Sequence, residues 1–247
     1  LGPRIGCPPP ELTDSGTVYT PPCVVGPTLQ PTITLAVDIA AGDALTCTLH
    51  EDATVLCWGD ARGRGGSTMA ADAPPGPVLD QADAPVRARR VVVGRGPSPK
   101  ACAITLDDRA VCWGVGVGDR AEPLTGPGGA DLADLGPLSD VALGDAHTCV
   151  ATTTDVVCWG ANRNGESGDA DAAAACGRHG GGACTVGLTH VAVAAPRSLA
   201  VGARHTCAVA GTGAVTCWGS NEWGQLGRSD AYLVGVPATI DGLTVDN

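Results

Sequence analysis

Four stretches of the chain share one spacing. Each has a cysteine and then, nine or ten positions on, a second cysteine inside Cys-Trp-Gly. They are Cys47 to Gly59, Cys102 to Gly114, Cys149 to Gly160 and Cys207 to Gly219. Side chains alternate faces along a strand, and directly opposed residues on paired strands point the same way. Pairing Cys207 with Cys217 therefore sets Val209 opposite Val215 on the same face. The pair Cys102 and Cys112 sets Ile104 opposite Ala110, and Cys47 with Cys57 sets Leu49 opposite Val55. Cys149 with Cys158 sets Ala151 opposite Val156, although that turn is one residue shorter. Opposed positions have Cα separations of about 4.5–5.5 Å, within reach of a disulfide. The spacing thus predicts four hairpins, each closed by a bridge that contributes roughly 2–3 kcal/mol in the chain-entropy model.

Such staples answer a need set by composition. Phe is absent, and the apolar residues are mostly Ala, Val and Leu. A core so poor in aromatics buries little apolar area per residue. The twelve cysteines are an even number, which reads as a disulfide framework and an oxidising, extracytoplasmic compartment. No apolar run approaches the ~18 residues of a spanning helix. No leader is visible, so the chain is read as beginning after cleavage. Arg4-Ile5-Gly6-Cys7 is a poor lipidation site, and lipidating Cys7 would leave Cys23 without a partner. The net charge of −11 opposes nucleic-acid binding, which depends on neutralising phosphates, and favours solubility.

Residues 1–30 are Pro-rich and hold Cys7 and Cys23, which predicts an extended arm closed by its own disulfide. Residues 31–247 divide into repeats near 31–84, 85–136, 137–190 and 191–247. The first cysteines of the copies lie 47 to 58 positions apart, a period of propeller blades or other stacked β units. No segment sustains a 3.6-residue apolar pattern, and ADLADL (130–135) offers one helical turn at most. An insertion after the third repeat holds Cys176 and Cys184, read as a Gly-rich loop pinned by a disulfide. The terminal VPATIDGLTVDN reads as the opening strand of a fifth copy.

Laid out in this way, Gly-x-x-His-Thr-Cys…Cys-Trp-Gly-x-Asn-x-x-Gly resembles the regulator of chromosome condensation repeat. It is most similar to the cysteine-bearing version in exported bacterial proteins. The third copy matches at Gly144, His147, Thr148, Cys158, Trp159, Gly160, Asn162 and Gly165. The fourth matches best, through Gly202, His205, Thr206, Cys217, Trp218, Gly219, Asn221, Gly224, Gln225, Leu226 and Gly227. The first has Leu45 in place of the His, and the second has no His and a shortened GVGVGD loop. The resemblance implies an all-β fold, a β-propeller-like array of about four blades, each with an intra-blade disulfide hairpin. That family usually builds seven blades. Four blades would close a small ring, or the arc would be completed by another chain or by further sequence. The founding member binds chromatin and a small GTPase, which the acidity and cysteines here argue against. A propeller-type β-lactamase inhibitor, which grips its enzyme with rim loops, is the more useful relative.

No nucleophile elbow, phosphate loop, His-Glu-x-x-His or Cys-x-x-Cys-His occurs, so no enzyme is expected. Cys176, His179 and Cys184 give three ligands where a closed zinc site needs four. Asp169 and Asp171 lack the Gly-then-Glu spacing of a calcium loop. No cofactor or metal is expected. His147 and His205 recur at one repeat position, which points to a repeated structural hydrogen bond. His50, His179 and His190 read as solvent-facing, and the four Trp of Cys-Trp-Gly as packing residues. Trp223 is different: it lies in a loop where the other copies have no aromatic, and it marks a contact. Glu222 and Arg163, in equivalent loops, would share that surface. The expectation is an exported, non-enzymatic module that binds a protein partner through rim loops. The alternative is a structural subunit of a cell-envelope or extracellular assembly.

Overall fold

The computed structural model describes residues 11–12, 18–19, 35–63, 65, 75–95, 100–170, 185–229 and 233–245. The chain divides into two compact units, Leu1–Thr34 and Leu35–Asn247. In the first, β1 (Glu11–Leu12) runs antiparallel to β2 (Val18–Tyr19). The expected Cys7–Cys23 and Cys176–Cys184 bridges lie outside the described residues.

The second unit is a four-blade β-propeller built of four-stranded antiparallel sheets. Blade one comprises β3 (Ala36–Ala41), β4 (Leu45–His50), β5 (Val55–Gly59) and β6 (Gly76–Pro77). Blade two comprises β7 (Ala88–Val93), β8 (Lys100–Thr105), β9 (Ala110–Gly114) and β10 (Gly118–Pro123). Blade three comprises β11 (Asp140–Leu143), β12 (His147–Ala151), β13 (Val156–Ala161) and β14 (Thr185–Val191). Blade four comprises β15 (Ser198–Val201), β16 (His205–Val209), β17 (Ala214–Ser220) and β18 (Leu233–Thr244). The chain's last strand therefore completes the fourth blade, pairing with β17, and does not open a fifth. β16 satisfies the ladder donors and acceptors of one edge of β17, and β18 satisfies those of the other.

All four hairpin registers are as the spacing predicts, including Leu49↔Val55, Ile104↔Ala110, Ala151↔Val156 and Val209↔Val215. The bridges Cys47–Cys57, Cys102–Cys112, Cys149–Cys158 and Cys207–Cys217 span Cα distances of 4.0–4.1 Å. The one-residue difference in length is absorbed in the turns. Ala53, Asp108 and Gly213 take positive φ in the three longer ones, the left-handed residue of a three-residue loop. In the shorter turn Thr152 N–H reaches Asp155 C=O directly, at 2.9 Å.

The glycine of each Cys-Trp-Gly has φ between 103° and 114°. A Cβ at Gly59, Gly160 or Gly219 would lie 2.3–2.6 Å from the carbonyl oxygen of Ala44, Ala146 or Arg204. Those carbonyls accept the N–H of the residue after the glycine, at 2.7–2.8 Å. The glycine is thus required by a backbone crossing, not by the tryptophan beside it.

Every hairpin has two faces, one carrying the cysteines and one the tryptophan. The cysteine face of blade one (Leu45, Leu49, Val55) packs on Val91, Ala103 and Trp113 of blade two. That of blade two (Ile104, Ala110) packs on Val141, Val150 and Val157 of blade three. That of blade three (Ala151, Val156) packs on Leu199, Ala208 and Trp218 of blade four. Each blade therefore offers its cysteine face to the next blade and its tryptophan face to the one before. On blade four, the cysteine face is covered from within by Leu226 and Ile240. Among the described residues no core cluster joins blade four to blade one.

Candidate functional site

The loops that leave the third strands of blades three and four are built alike. Asn162 holds the first through Nδ2–H to Asp169 C=O at 2.7 Å and through Oδ1, which accepts Ser167 N–H at 3.0 Å. Asn221 does the same in the second, with Arg228 C=O at 2.9 Å and Leu226 N–H at 3.0 Å. The second residue after each Asn is tied at its N–H: Asn164 to Glu166 Oε2 at 2.5 Å and Trp223 to Gln225 Oε1 at 2.8 Å. A side chain at that position is held on a fixed backbone.

Trp223 is 85 % exposed, the most exposed large hydrophobic side chain among the described residues. Trp113, Trp159 and Trp218 are buried, and Trp58 is half-buried. Glu222 is exposed beside Trp223 and lies 4.0 Å from Arg204, a distance at which a solvated ion pair contributes little. Arg163 is exposed at the position of Glu222 in the preceding loop. A separate cleft of about 290 Å³, lined by Asp107, Asp108, Asp131, Leu132 and Leu138, lies between a blade-two turn and the connection that follows it.

The loop of blade three also binds the next blade. Glu166 C=O accepts Trp218 Nε1–H at 3.0 Å and the Thr206 hydroxyl at 2.9 Å. His147 Nε2 lies 3.0 Å from the same hydroxyl oxygen. The Thr206 proton goes to Glu166, so His147 must donate through Nε2–H. Its Nδ1 is buried without a partner, against Gly144. Burial, and then the nearby His205 and Lys100, lower the His147 pKa to about 4. The His147 bond runs between blades and is not repeated: His205, at the same repeat position, makes no side-chain hydrogen bond among the described residues. His205 is half-buried, and burial followed by Arg95 lowers its pKa.

One histidine read as solvent-facing in the sequence is not. His50 is buried, with Nε2 3.1 Å from Thr48 Oγ1, because it follows Thr48 on an inward strand face. His190 is exposed, as read, and its Nδ1 lies 2.6 Å from Asp155 Oδ2, while His179 lies outside the described residues. The sequence reading passed over Asp140, which is buried and bonded to groups of three blades. It accepts Arg90 Nε–H of blade two at 2.8 Å and Leu199 N–H of blade four at 2.8 Å. The signal was an Asp recurring at one position of the first strand, Asp38 in AVDIAA and Asp140 in DVAL. Among the described residues no group of three or more His, Cys, Asp and Glu is arranged to hold a metal. No helix there is long and apolar enough to cross a membrane.

Residues 138–166 and 197–225 match the model of the regulator of chromosome condensation (RCC1) repeat. No curated protein matches the sequence. Among solved structures, yeast RCC1 (Prp20) bound to Kap60 is similar at 21 % identity with a TM-score of 0.63. That match covers 87 % of this chain and 50 % of the other. Prp20p of Saccharomyces cerevisiae, described with its binding properties to Gsp1p and histones, matches at 21 % identity and TM-score 0.63, over 86 % and 52 %. Human WBSCR16 matches at 20 % identity and TM-score 0.59, over 81 % and 52 %. The chain spans about half the length of each.

Proposed function

Because this chain carries RCC1 repeats on a propeller of the RCC1 type, we propose that it is an exported, non-enzymatic module that binds another protein through its rim loops. Trp223 carries the proposal. A tryptophan 85 % exposed on a loop clamped at both ends loses little conformational freedom when a partner covers it. Glu222 beside it in the chain, and Arg163 at the equivalent exposed position of the preceding blade's loop, would add polar rim contacts. Four disulfides support an oxidising compartment, and the net charge of −11 supports a protein rather than a nucleic-acid partner. A second reading, a structural subunit of an envelope or extracellular assembly, draws on the apolar surface that blade one leaves exposed.

The test compares the wild-type chain with Trp223→Ala as immobilised bait in extracts of the native source. A stoichiometric partner should be held by the wild type. Its affinity should fall by about 2 kcal/mol, roughly thirtyfold, in the variant, as for an interface hot spot. An unchanged far-UV spectrum confirms folding. Equal retention by both baits removes Trp223 from the interface.

A further inference from the structure

The junction between blades two and three departs from the one that follows it. Gly94 N–H donates to Lys100 C=O at 2.9 Å, as Gly144 N–H does to His147 C=O. Lys100 also stands opposite Gly114 as His147 stands opposite Gly160. Lys100, the only lysine of the chain, therefore holds the histidine position of blade two. Thr148 stands opposite Trp159 as Thr206 stands opposite Trp218, so the donors of the next junction are repeated here. Their acceptor is not. Glu166 C=O, which accepts from Thr206 and Trp218, comes from a loop of blade three. In blade two only residues 115–117 separate β9 from β10, and Glu166 has no counterpart. No hydrogen bond of the Lys100, Thr148 or Trp159 side chains occurs among the described residues.

Glu122 is the second departure. It stands opposite Cys112, where the other blades set Gly76, Thr189 and Ala238 opposite the equivalent cysteine. Opposed and alternate residues share a face, so Lys100 and Glu122 both lie on the cysteine face that meets blade three. A cleft of about 290 Å³ between these blades is lined by Lys100, Glu122, Leu143, Thr148 and Trp159, beside the Cys102–Cys112 bridge. That is near the small end of ligand sites, and its mixture of apolar walls and a few polar groups is typical of them. Both charged residues are half-buried, and no ion pair joins them among the described residues. Glu122 Oε1 accepts Gln81 Nε2–H at 3.1 Å. Burial lowers the Lys100 pKa against the opposing pull of Asp145, as befits an ammonium short of a counter-charge.

We propose that this cleft binds a small zwitterionic amino acid, with its carboxylate on Lys100, Thr148 and Trp159 and its ammonium on Glu122. The carboxylate supplies the acceptor that the short blade-two connection leaves out. The ligand's two charges answer two half-buried protein charges that do not reach each other. The site uses neither Trp223 nor its loop, so it stands or falls apart from the rim-loop reading.

Selective isotopic labelling of lysine in the full chain gives a single side-chain NMR signal, that of Lys100, which tests the proposal. Glycine, L-alanine, L-leucine, L-glutamine and γ-aminobutyrate are titrated to about 10 mM, and at least one should shift the signal saturably with a Kd below about 1 mM. Acetate, which lacks the amine, and methylammonium, which lacks the carboxylate, should each bind at least about tenfold more weakly, having lost one charge-assisted contact. Calorimetry with the same ligand extends the test to variants. Lys100→Met and Glu122→Gln should each weaken it by about tenfold to a hundredfold, and only Lys100→Met should weaken acetate. Circular dichroism and a thermal melt report folding, and Glu122→Gln, which keeps the shape of the side chain, decides the matter if Lys100→Met does not fold. The absence of a saturable shift with every amino acid tried overturns the proposal. So does acetate binding as tightly as the zwitterion, or an affinity unchanged in Glu122→Gln.

Discussion

Lowering the pH from 7 to 4 should destabilise the protein, with His147 one of the side chains responsible. Its ring is buried, Nε2–H is committed to Thr206, and Nδ1 has no partner. A second proton would put a charge at Nδ1 in a buried pocket, which is why the pKa is lowered from 6.5 to about 4. In the unfolded chain the ring takes up a proton below about 6.5. Between those values the unfolded state binds more protons, so stability is fully present above pH 6.5 and is lost as pH falls toward 4. Each pKa unit corresponds to about 1.4 kcal/mol, which sets a loss of roughly 3 kcal/mol across that window. Urea denaturation at a series of pH values measures it, with His147→Gln as reference. Glutamine can still donate to Thr206 but does not titrate. Carboxylates whose pKa is lowered in the fold, such as Asp107 held by the Thr105 hydroxyl, contribute equally to both proteins and cancel in the difference. The wild type should therefore lose stability more steeply than the variant. Parallel curves from pH 7 to pH 4, or an NMR titration of His147 near 6.5, would refute the reasoning.

Two further predictions address the scaffold. Gly160→Ala puts a Cβ 2.5 Å from Ala146 C=O at a φ of 103°, and should lower the free energy of unfolding by about 1–3 kcal/mol in urea. Alanine at a glycine with open space around it, Gly224, should cost less. Asp140→Ala leaves Arg90 and the Leu199 N–H without their acceptor and should cost about 2–3 kcal/mol. Its effect should be markedly non-additive with Arg90→Ala in a double-mutant cycle, whereas strict additivity would mean the two side chains do not act together.

What could be read from the sequence follows the range of the interactions. Hairpin register depends on a two-residue period and a local turn, so Cys47, Cys57, Leu49 and Val55 suffice to place each other. The Ala133–Leu135 turn of 3₁₀ helix was within reach for the same reason. What lies between blades was not legible. The sequence gives no direct sign that Val141 faces backward and Ala142 forward, because both are small apolar residues in one short strand. Asp140 was missed because its partners, Arg90 and Leu199, lie about 50 and 59 positions away along the chain. The last strand was misplaced because VPATIDGLTVDN has the same β-branched pattern whether it opens a blade or closes one. Trp223 was legible as an exception to the repeat, and its exposure follows from that same fact: no neighbouring copy supplies a pocket shaped for it.

The disulfides have a consequence for how the molecule yields under load. Each described bridge joins residues nine or ten positions apart within one blade, and none crosses from blade to blade. Covalent reinforcement is thus confined to the individual leaves, while neighbouring leaves adhere through side-chain packing and a few bonds such as Glu166 to Trp218. Pulled from its ends, the protein would peel blade by blade, and each freed blade would keep a knot of chain that cannot lengthen. The connections between blades would open to proteases well before any hairpin did. The staples preserve the parts, and the joints remain reversible.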